Sequence, residues 1–177
     1  MARILLLYAT TDGHTREICL RMQQVMEREN GRRVRLVPVG EAASLNLETF
    51  DRIVIGASIR YGKHSRQVVD FIRRNVAVLE SKPNAFFSVN LVARKAEKSR
   101  PETNPYMRKL LRQIPWKPAH LAVFAGKLDY PSYGTVDRLM IRLIMWFTGG
   151  PTDPKAVVDF TDWQKVAEFA RRIGANE

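Results

Sequence analysis

Short runs of apolar residues alternate along this chain with longer segments in which apolar residues recur every three or four positions. Five of the runs have the length of buried β-strands, and they cover residues 4–8, 33–39, 52–56, 85–89 and 121–125. The run 33–39 alternates polar and apolar residues, which is typical of an edge strand. Because strands separated by helices form parallel sheets covered on both faces, the pattern predicts an α/β fold with a doubly wound five-stranded parallel sheet.

The segments between these strands show the spacing of amphipathic helices. The first predicted helix places a set of apolar residues on one face, namely Ile18, Cys19, Met22, Val25 and Met26. The pair Asn30-Gly31 supplies its stop signal. Further helices are predicted over residues 68–79, 106–114, 135–148 and 162–173.

Two long stretches, 90–105 and 128–154, fit this alternation poorly. Loops of such length are uncommon in compact domains unless they are functional. The chain has 177 residues, which suits one domain with a substantial core. We therefore expect a single domain over 1–177, with 128–154 as an insertion after the fifth strand that contains an amphipathic helix.

The charge balance is unusual, because the formal net charge is +11 and seven of these charges arise between residues 94 and 127. Such a balance favours an anionic partner, for example a lipid surface or a polycarboxylate. We expect no nucleic-acid partner, because no recognised nucleic-acid motif is present. The single cysteine, Cys19, excludes an internal disulfide, and no metal site is expected. No apolar stretch is long enough to predict a membrane-spanning helix.

A phosphate-binding loop is predicted between the first strand and the first helix. Hydroxyls and successive backbone N–H groups at the positive end of a helix suit a phosphate, and glycine permits close backbone approach. The candidate residues are Thr10, Thr11, Asp12, Gly13, His14 and Thr15. An ordinary capped turn is the alternative interpretation, since Thr and Asp are also common before helices. Neither a Walker motif nor a dinucleotide-binding glycine motif accompanies the loop.

Two further loops follow the third and fourth strands, at the edge of the sheet where doubly wound proteins bind ligands. Tyr61 lies between small residues and can stack on a planar ring, and Gly62 leaves its backbone N–H accessible. The candidate ring-binding residues are Ser58, Ile59, Arg60, Tyr61 and Gly62 after the third strand, and Ser88, Val89, Asn90, Leu91, Val92 and Ala93 after the fourth.

The first of these motifs, the loop from Thr10 to Thr15, resembles the phosphate loop of flavodoxins, although Asp12 stands where they more often have threonine. A carboxylate beside a phosphate repels it unless it is turned away. More specific resemblances are carried by the sequences VIGASIRYG at 54–62, FSVNLVARK at 87–95, the pair GG at 149–150 and TDW at 161–163. Together they resemble the quinone-dependent protoporphyrinogen oxidases of bacterial haem synthesis. The resemblance implies FMN as cofactor, protoporphyrinogen IX as substrate, and ubiquinone or menaquinone as electron acceptor.

Basic residues beside the predicted ring site suit a flat substrate that carries propionates. The candidates for orienting it are Arg60, Lys63, Arg94 and Lys95. A solvated basic face is the alternative for most of them. We name no catalytic base, because water or a substrate nitrogen can serve in the oxidation of a porphyrinogen.

The helix predicted over 135–148 is too short to span a bilayer but suits an interfacial position. Its candidate membrane-contacting residues are Val136, Leu139, Met140, Leu143, Trp146 and Phe147. We therefore expect a peripheral protein on the anionic cytoplasmic face of the bacterial inner membrane. Packing on the protein's own sheet, or on a second copy in a homo-oligomer, is the alternative.

Three other functions are compatible with parts of the pattern. The main alternative is a flavodoxin-like NAD(P)H:quinone oxidoreductase, which requires a pocket for a second nucleotide. A soluble electron carrier conflicts with the basic charge and the apolar insertion. A colourless nucleic-acid-binding module would show affinity that depends strongly on salt.

Overall fold

Five long strands form one parallel sheet in a computed structural model that describes residues 1–175. In chain order these are β1 (Arg3–Ala9), β2 (Arg33–Pro38), β3 (Arg52–Arg60), β5 (Asn84–Asn90) and β6 (His120–Ala125). A two-residue strand, β4 (Lys63–His64), pairs antiparallel with the end of β3. The spatial order is β2-β1-β3-β5-β6, so β2 lies at an edge, as its alternating sequence predicts. The doubly wound α/β fold is confirmed.

Helices cover both faces of this sheet. One face packs against α1 (His14–Asn30) and α6 (Trp163–Gly174). The other packs against α2 (Arg66–Arg74), α3 (Val76–Glu80) and α4 (Pro105–Gln113). The predicted apolar face of α1 is buried as expected, including the free thiol of Cys19, whose pKa burial raises.

The central strand β1 contributes side chains to both cores. Leu5 and Leu7 belong to one core, whereas Ile4 and Leu6 belong to the other, and all four are fully buried. Successive strand residues point to opposite faces, so a strand covered on both sides must be apolar at every position. This is why the run 4–7 shows no alternation.

The structure corrects several boundaries. The third strand continues to Arg60 rather than ending at residue 56, and the predicted helix 68–79 is two helices. The break lies at Asn75, whose Nδ2 donates to the carbonyl of Phe71 at 2.8 Å. This local bond from an asparagine side chain competes with continued helix formation. The stretch 90–105 contains two 3₁₀ turns, Leu91–Arg94 and Ala96–Lys98.

The insertion segment 128–154 has a small core of its own. Its helix, α5, spans Thr135–Thr148, the range that the sequence predicts. Two short strands that the sequence analysis missed, β7 (Lys127–Asp129) and β8 (Val157–Asp159), pair antiparallel at its base. Leu128, Tyr130 and Met145 form the buried cluster between these strands and α5. The insertion is therefore an ordered subdomain beside the carboxyl end of β6.

Gly56 lies inside β3, where it pairs with Phe87 of β5. The Phe87 ring fills the space that a side chain at position 56 would need. A Cβ atom at this position would lie 2.1 Å from Cζ of Phe87. Phe87 is fully buried and contacts the rings of Phe124 and Phe169. Only glycine lets this aromatic cluster lie against the strand.

We expect Gly56→Ala to lower the free energy of unfolding by about 1–3 kcal/mol, because the added methyl group must displace a packed ring. Urea denaturation monitored by circular dichroism measures this loss. Gly40→Ala is the matched control, since a Cβ there meets only the Gln67 side chain at ordinary contact distance. Equal stability of the two variants would contradict the packing explanation.

Candidate functional site

The carboxyl ends of β1, β3 and β5 meet at one edge of the sheet. Here the chain leaves β1 toward the face covered by α1 and leaves β3 toward the face covered by α2. Such a divergence opens a crevice in doubly wound sheets. A cleft of about 580 Å³ lies at this point, and it is lined among others by Thr10, Thr11, Ser58, Tyr61 and Lys63.

The predicted phosphate loop turns tightly onto the first residue of α1. Gly13 has φ of 91°, a conformation that favours glycine, and its N–H donates to Thr10 Oγ1 at 2.9 Å. The Asp12 carboxylate accepts from the backbone N–H of His14 at 3.2 Å. It therefore lies at the positive end of the helix, where an incoming phosphate competes with it for the N–H groups.

Thr15 has the environment of a ligand-binding hydroxyl. Its side chain is fully buried in the first turn of α1, and within residues 1–175 its Oγ1 has no hydrogen-bond partner. A buried unpartnered hydroxyl is costly, which is why such groups in native proteins call for an explanation. An anionic oxygen held by the loop would supply the missing partner. The residues present thus fit the phosphate of FMN.

The ring of His14 bonds residues on the side of α6, not residues that line the cleft. Its Nδ1 lies 2.9 Å from the Glu17 carboxylate and its Nε2 lies 2.7 Å from Thr161 Oγ1. Thr161 in turn donates to the carbonyl of Ala125 at the end of β6. Because both ring nitrogens are engaged, the part of His14 open to a phosphate is its backbone. The motif at 161–163 is thereby connected to the phosphate loop.

The loop after β3 is a tight hairpin leading into β4. Tyr61 and Gly62 occupy its two central positions with φ of 49° and 72°, as type I′ turns require. A tyrosine in this conformation is strained, and such strain is often found at functional sites. The Tyr61 side chain is 52% exposed, so its ring is accessible to a planar ligand.

An acidic residue of α5 contacts this hairpin, a contact that could not be predicted from the sequence. The Tyr61 hydroxyl donates to the carboxylate of Asp137, and Arg60 Nη2 lies 3.2 Å from the same carboxylate. The hydrogen bond from Tyr61, together with attraction by Arg60, holds the pKa of the Asp137 carboxyl below its usual value against the opposing effect of desolvation.

The loop after β5 rests on a chain of buried polar groups. Asn90 Oδ1 accepts from the N–H of Ala93 at 3.1 Å, and its Nδ2 donates to Ser88 Oγ and toward Asn104. Ser88 Oγ lies 2.9 Å from Nε2 of His64, a residue not selected from the sequence. Burial lowers the pKa of the His64 imidazole to about 4, so this ring is neutral at neutral pH.

Four of the predicted ring-binding residues at the end of β5 and in the loop after it have buried side chains. The side chains of Ser88, Val89, Val92 and Ala93 are buried, so only their backbone can contact a ligand at this edge. Leu91 is half-buried and packs against the cluster of the insertion.

The four candidate cations differ in their surroundings. Lys63 is exposed at the cleft, Arg60 is paired with Asp137, and Lys95 is half-buried. Arg94 donates from Nη1 to the carbonyl of Leu91 and from Nη2 to the carbonyl and hydroxyl of Thr148. Its guanidinium therefore connects the loop after β5 to the insertion, and its role in orienting substrate carboxylates stays a prediction.

The relationships of the chain agree with this geometry. A family profile described as a flavodoxin domain matches residues 5–155. The chain is 46% identical over 171 residues to the protoporphyrinogen IX dehydrogenase (quinone) of Escherichia coli strain K12, covering 97% of this chain and 94% of that protein. It is 40% identical to the Leishmania major enzyme of the same name, covering 98% of this chain and 75% of that protein.

Among solved structures, oxidised flavodoxin 2 from Bacillus cereus superimposes with a TM-score of 0.54 at 18% identity, covering 97% of both chains. Flavodoxin 1 from the same organism gives 0.51 at 15% identity, again over 97% of both chains. These two likenesses show the fold. The chain belongs to the flavodoxin-domain family and, within it, to the same family as the protoporphyrinogen IX dehydrogenases (quinone) of Escherichia coli and Leishmania major.

Proposed function

We propose that this protein is an FMN-dependent oxidoreductase that oxidises protoporphyrinogen IX to protoporphyrin IX and passes the electrons to a respiratory quinone. The observation that carries the proposal is the 46% identity, over 97% of the chain, to a relative named for this reaction. The site is consistent with it, because a phosphate loop and two ring-side loops lie at one edge of the sheet.

FMN, when bound, accepts electrons from the porphyrinogen and gives them up to the quinone. The protein's own contribution is to bind and orient the reactants. Thr15 and the backbone of the phosphate loop are suited to the FMN phosphate, and Tyr61 is suited to the isoalloxazine ring. Lys63, exposed at the cleft, is suited to orienting substrate propionates.

The two half-reactions can be observed separately by anaerobic absorption spectroscopy. We expect the purified protein to be yellow, to bleach when protoporphyrinogen IX is added, and to regain its colour with ubiquinone or menaquinone. NADH is the control donor, because the competing assignment as an NAD(P)H:quinone oxidoreductase requires it to bleach the flavin. Bleaching by NADH but not by the porphyrinogen would overturn the proposed substrate.

Thr15→Val replaces the unpartnered hydroxyl with a methyl group of the same shape. We expect the dissociation constant of FMN to rise by about ten- to hundredfold, since a hydrogen bond to a charged group contributes about 1.5–3 kcal/mol. The apoprotein should melt at the same or a higher temperature, because a costly buried hydroxyl is gone. Fluorescence titration and thermal melts measure the two quantities.

Thr49→Val is the matched control for this variant. The Thr49 hydroxyl donates to the Asn46 carbonyl just before β3 begins, at the opposite edge of the sheet from the cleft. Its removal should leave FMN affinity unchanged. A Thr15→Val protein that binds FMN as tightly as the wild type would show that the hydroxyl does not serve the phosphate.

We also propose that α5 lies in an anionic membrane surface and makes the protein peripheral at the cytoplasmic face of the inner membrane. Trp146 and Phe147 are 68% and 73% exposed, and Val136, Leu139, Met140 and Leu143 are exposed beside them. The net charge of +11 supports an anionic lipid as the occupant of this face. Within residues 1–175, no helix has the length and apolar character needed to cross a bilayer.

Sedimentation with vesicles tests this surface. We expect wild-type protein to pellet with phosphatidylcholine vesicles that contain phosphatidylglycerol, and the double variant Leu139→Glu/Phe147→Glu to stay largely in the supernatant. Val157→Glu is the control, because Val157 is 54% exposed outside the helix. If the double variant pellets like the wild type, or instead converts a dimer to a monomer in ultracentrifugation, the lipid proposal is wrong.

A further inference from the structure

The two ends of α5 contact the two loops of the proposed flavin site. Near its first turn, Asp137 accepts from Tyr61 and pairs with Arg60 on the hairpin after β3. At its last residue, Thr148 accepts two hydrogen bonds from Arg94, which also donates to the carbonyl of Leu91 in the loop after β5. The helix thus connects loops that belong to different strands.

These contacts follow from the spacing of residues on the helix. Asp137 and Thr148 are eleven positions apart, so at about 100° per residue they lie on nearly the same side. Ile141 and Met145 complete this inner side, and Met145 is fully buried against Leu128 and Tyr130. The inner face of α5 is therefore fixed by packing in the middle and by polar contacts at both ends.

The hairpin depends on such support. Its tip holds Tyr61 at a positive φ, and the bond from the Tyr61 hydroxyl to the Asp137 carboxylate is of the charge-assisted kind that is stronger than a neutral one. The tip also receives a long contact of 3.4 Å from Lys109 Nζ to the Gly62 carbonyl. Asp137 fixes the hydroxyl end of the Tyr61 side chain, and Arg60, which also pairs with Asp137, lies over the ring at 5.1 Å from its centroid.

We propose that Asp137 is a positioning residue for the flavin ring. By accepting the hydrogen bond from the Tyr61 hydroxyl, Asp137 fixes the ring that stacks on the flavin. Because α5 contacts both ring-side loops, it also sets the distance between them. This inference rests on the proposed function and assigns to the insertion a role within the site, separate from the membrane contact proposed for its outer face.

The direction in which Asp137→Asn changes FMN affinity distinguishes a positioning role of Asp137 from a purely electrostatic one. Asp137→Asn removes a negative charge from the neighbourhood of an anionic cofactor, which by charge alone would tighten FMN binding. Positioning predicts the opposite, because an unrestrained hairpin must be ordered when the ring binds and this ordering costs affinity. The direction of the change therefore decides between the two explanations.

The experiment titrates apoprotein with FMN and with riboflavin, which has the ring but not the phosphate. We expect Asp137→Asn to weaken both about tenfold, since both depend on the ring site. Thr15→Val should instead weaken FMN and leave riboflavin unchanged. Glu29→Gln is the control, because it removes the same charge from an exposed pair with Arg171, and neither residue lines the cleft.

A double-mutant cycle tests whether Asp137 acts through Tyr61. Tyr61→Phe keeps the stacking ring and removes the hydroxyl, so it should reproduce the loss seen with Asp137→Asn. The double variant should then bind no more weakly than either single one. Hydrogen exchange of apoprotein gives a readout without flavin, and amides of residues 59–64 should exchange faster in Asp137→Asn with other segments unchanged.

Flavin binding by Asp137→Asn that is unchanged or tighter than in the wild type would overturn the inference, as would unchanged exchange of the hairpin amides. Additive losses in the cycle would overturn the route through Tyr61. If the wild-type protein binds neither flavin, the proposed function itself fails, which is a different result from a variant that binds like the wild type.

Discussion

Burial of β1 on both faces is the constraint on which the rest of the structure depends. Ile4 and Leu6 enter one core while Leu5 and Leu7 enter the other, so the strand has no exposed face on which to place a polar ligand group. Functional residues must then lie beyond its carboxyl end. The connections after β1 and β3 diverge there, which opens the cleft and brings the start of α1, the hairpin and the loop after β5 to one edge.

Features that depend on local pattern could be predicted from the sequence. The five apolar runs gave the sheet, and helical spacing gave α5 with its observed bounds. Thr15 and Tyr61 were identifiable because each follows a buried strand at the expected edge. The break at Asn75 and the pairing of β7 with β8 were missed, since one depends on a side-chain bond and the other on strands of three residues.

Contacts between residues far apart in sequence could not be predicted. Asp137 bonds Tyr61 across 76 positions, Arg94 reaches Thr148 across 54, and His14 meets Thr161 across 147. The sequence pattern of a helix does not distinguish a polar residue that faces solvent from one that bonds a distant part of the chain. For this reason the sequence did not predict that Arg94 bonds Thr148 of the insertion.

An ordinary surface helix turns its apolar side to the core and its charged side to water. The helix α5 differs because it has apolar residues on both sides, with Met145 buried and Trp146 exposed. Asp137 and Thr148 face the protein, while Trp146 and Phe147 face outward. Rotating the helix to bury those rings would withdraw Asp137 from Tyr61 and Thr148 from Arg94. The orientation of the outward apolar face is thus maintained by the packing of Met145 and by the same polar contacts that hold the ring-side loops. A lipid surface bound to this face would also hold the helix in the position that the flavin site requires.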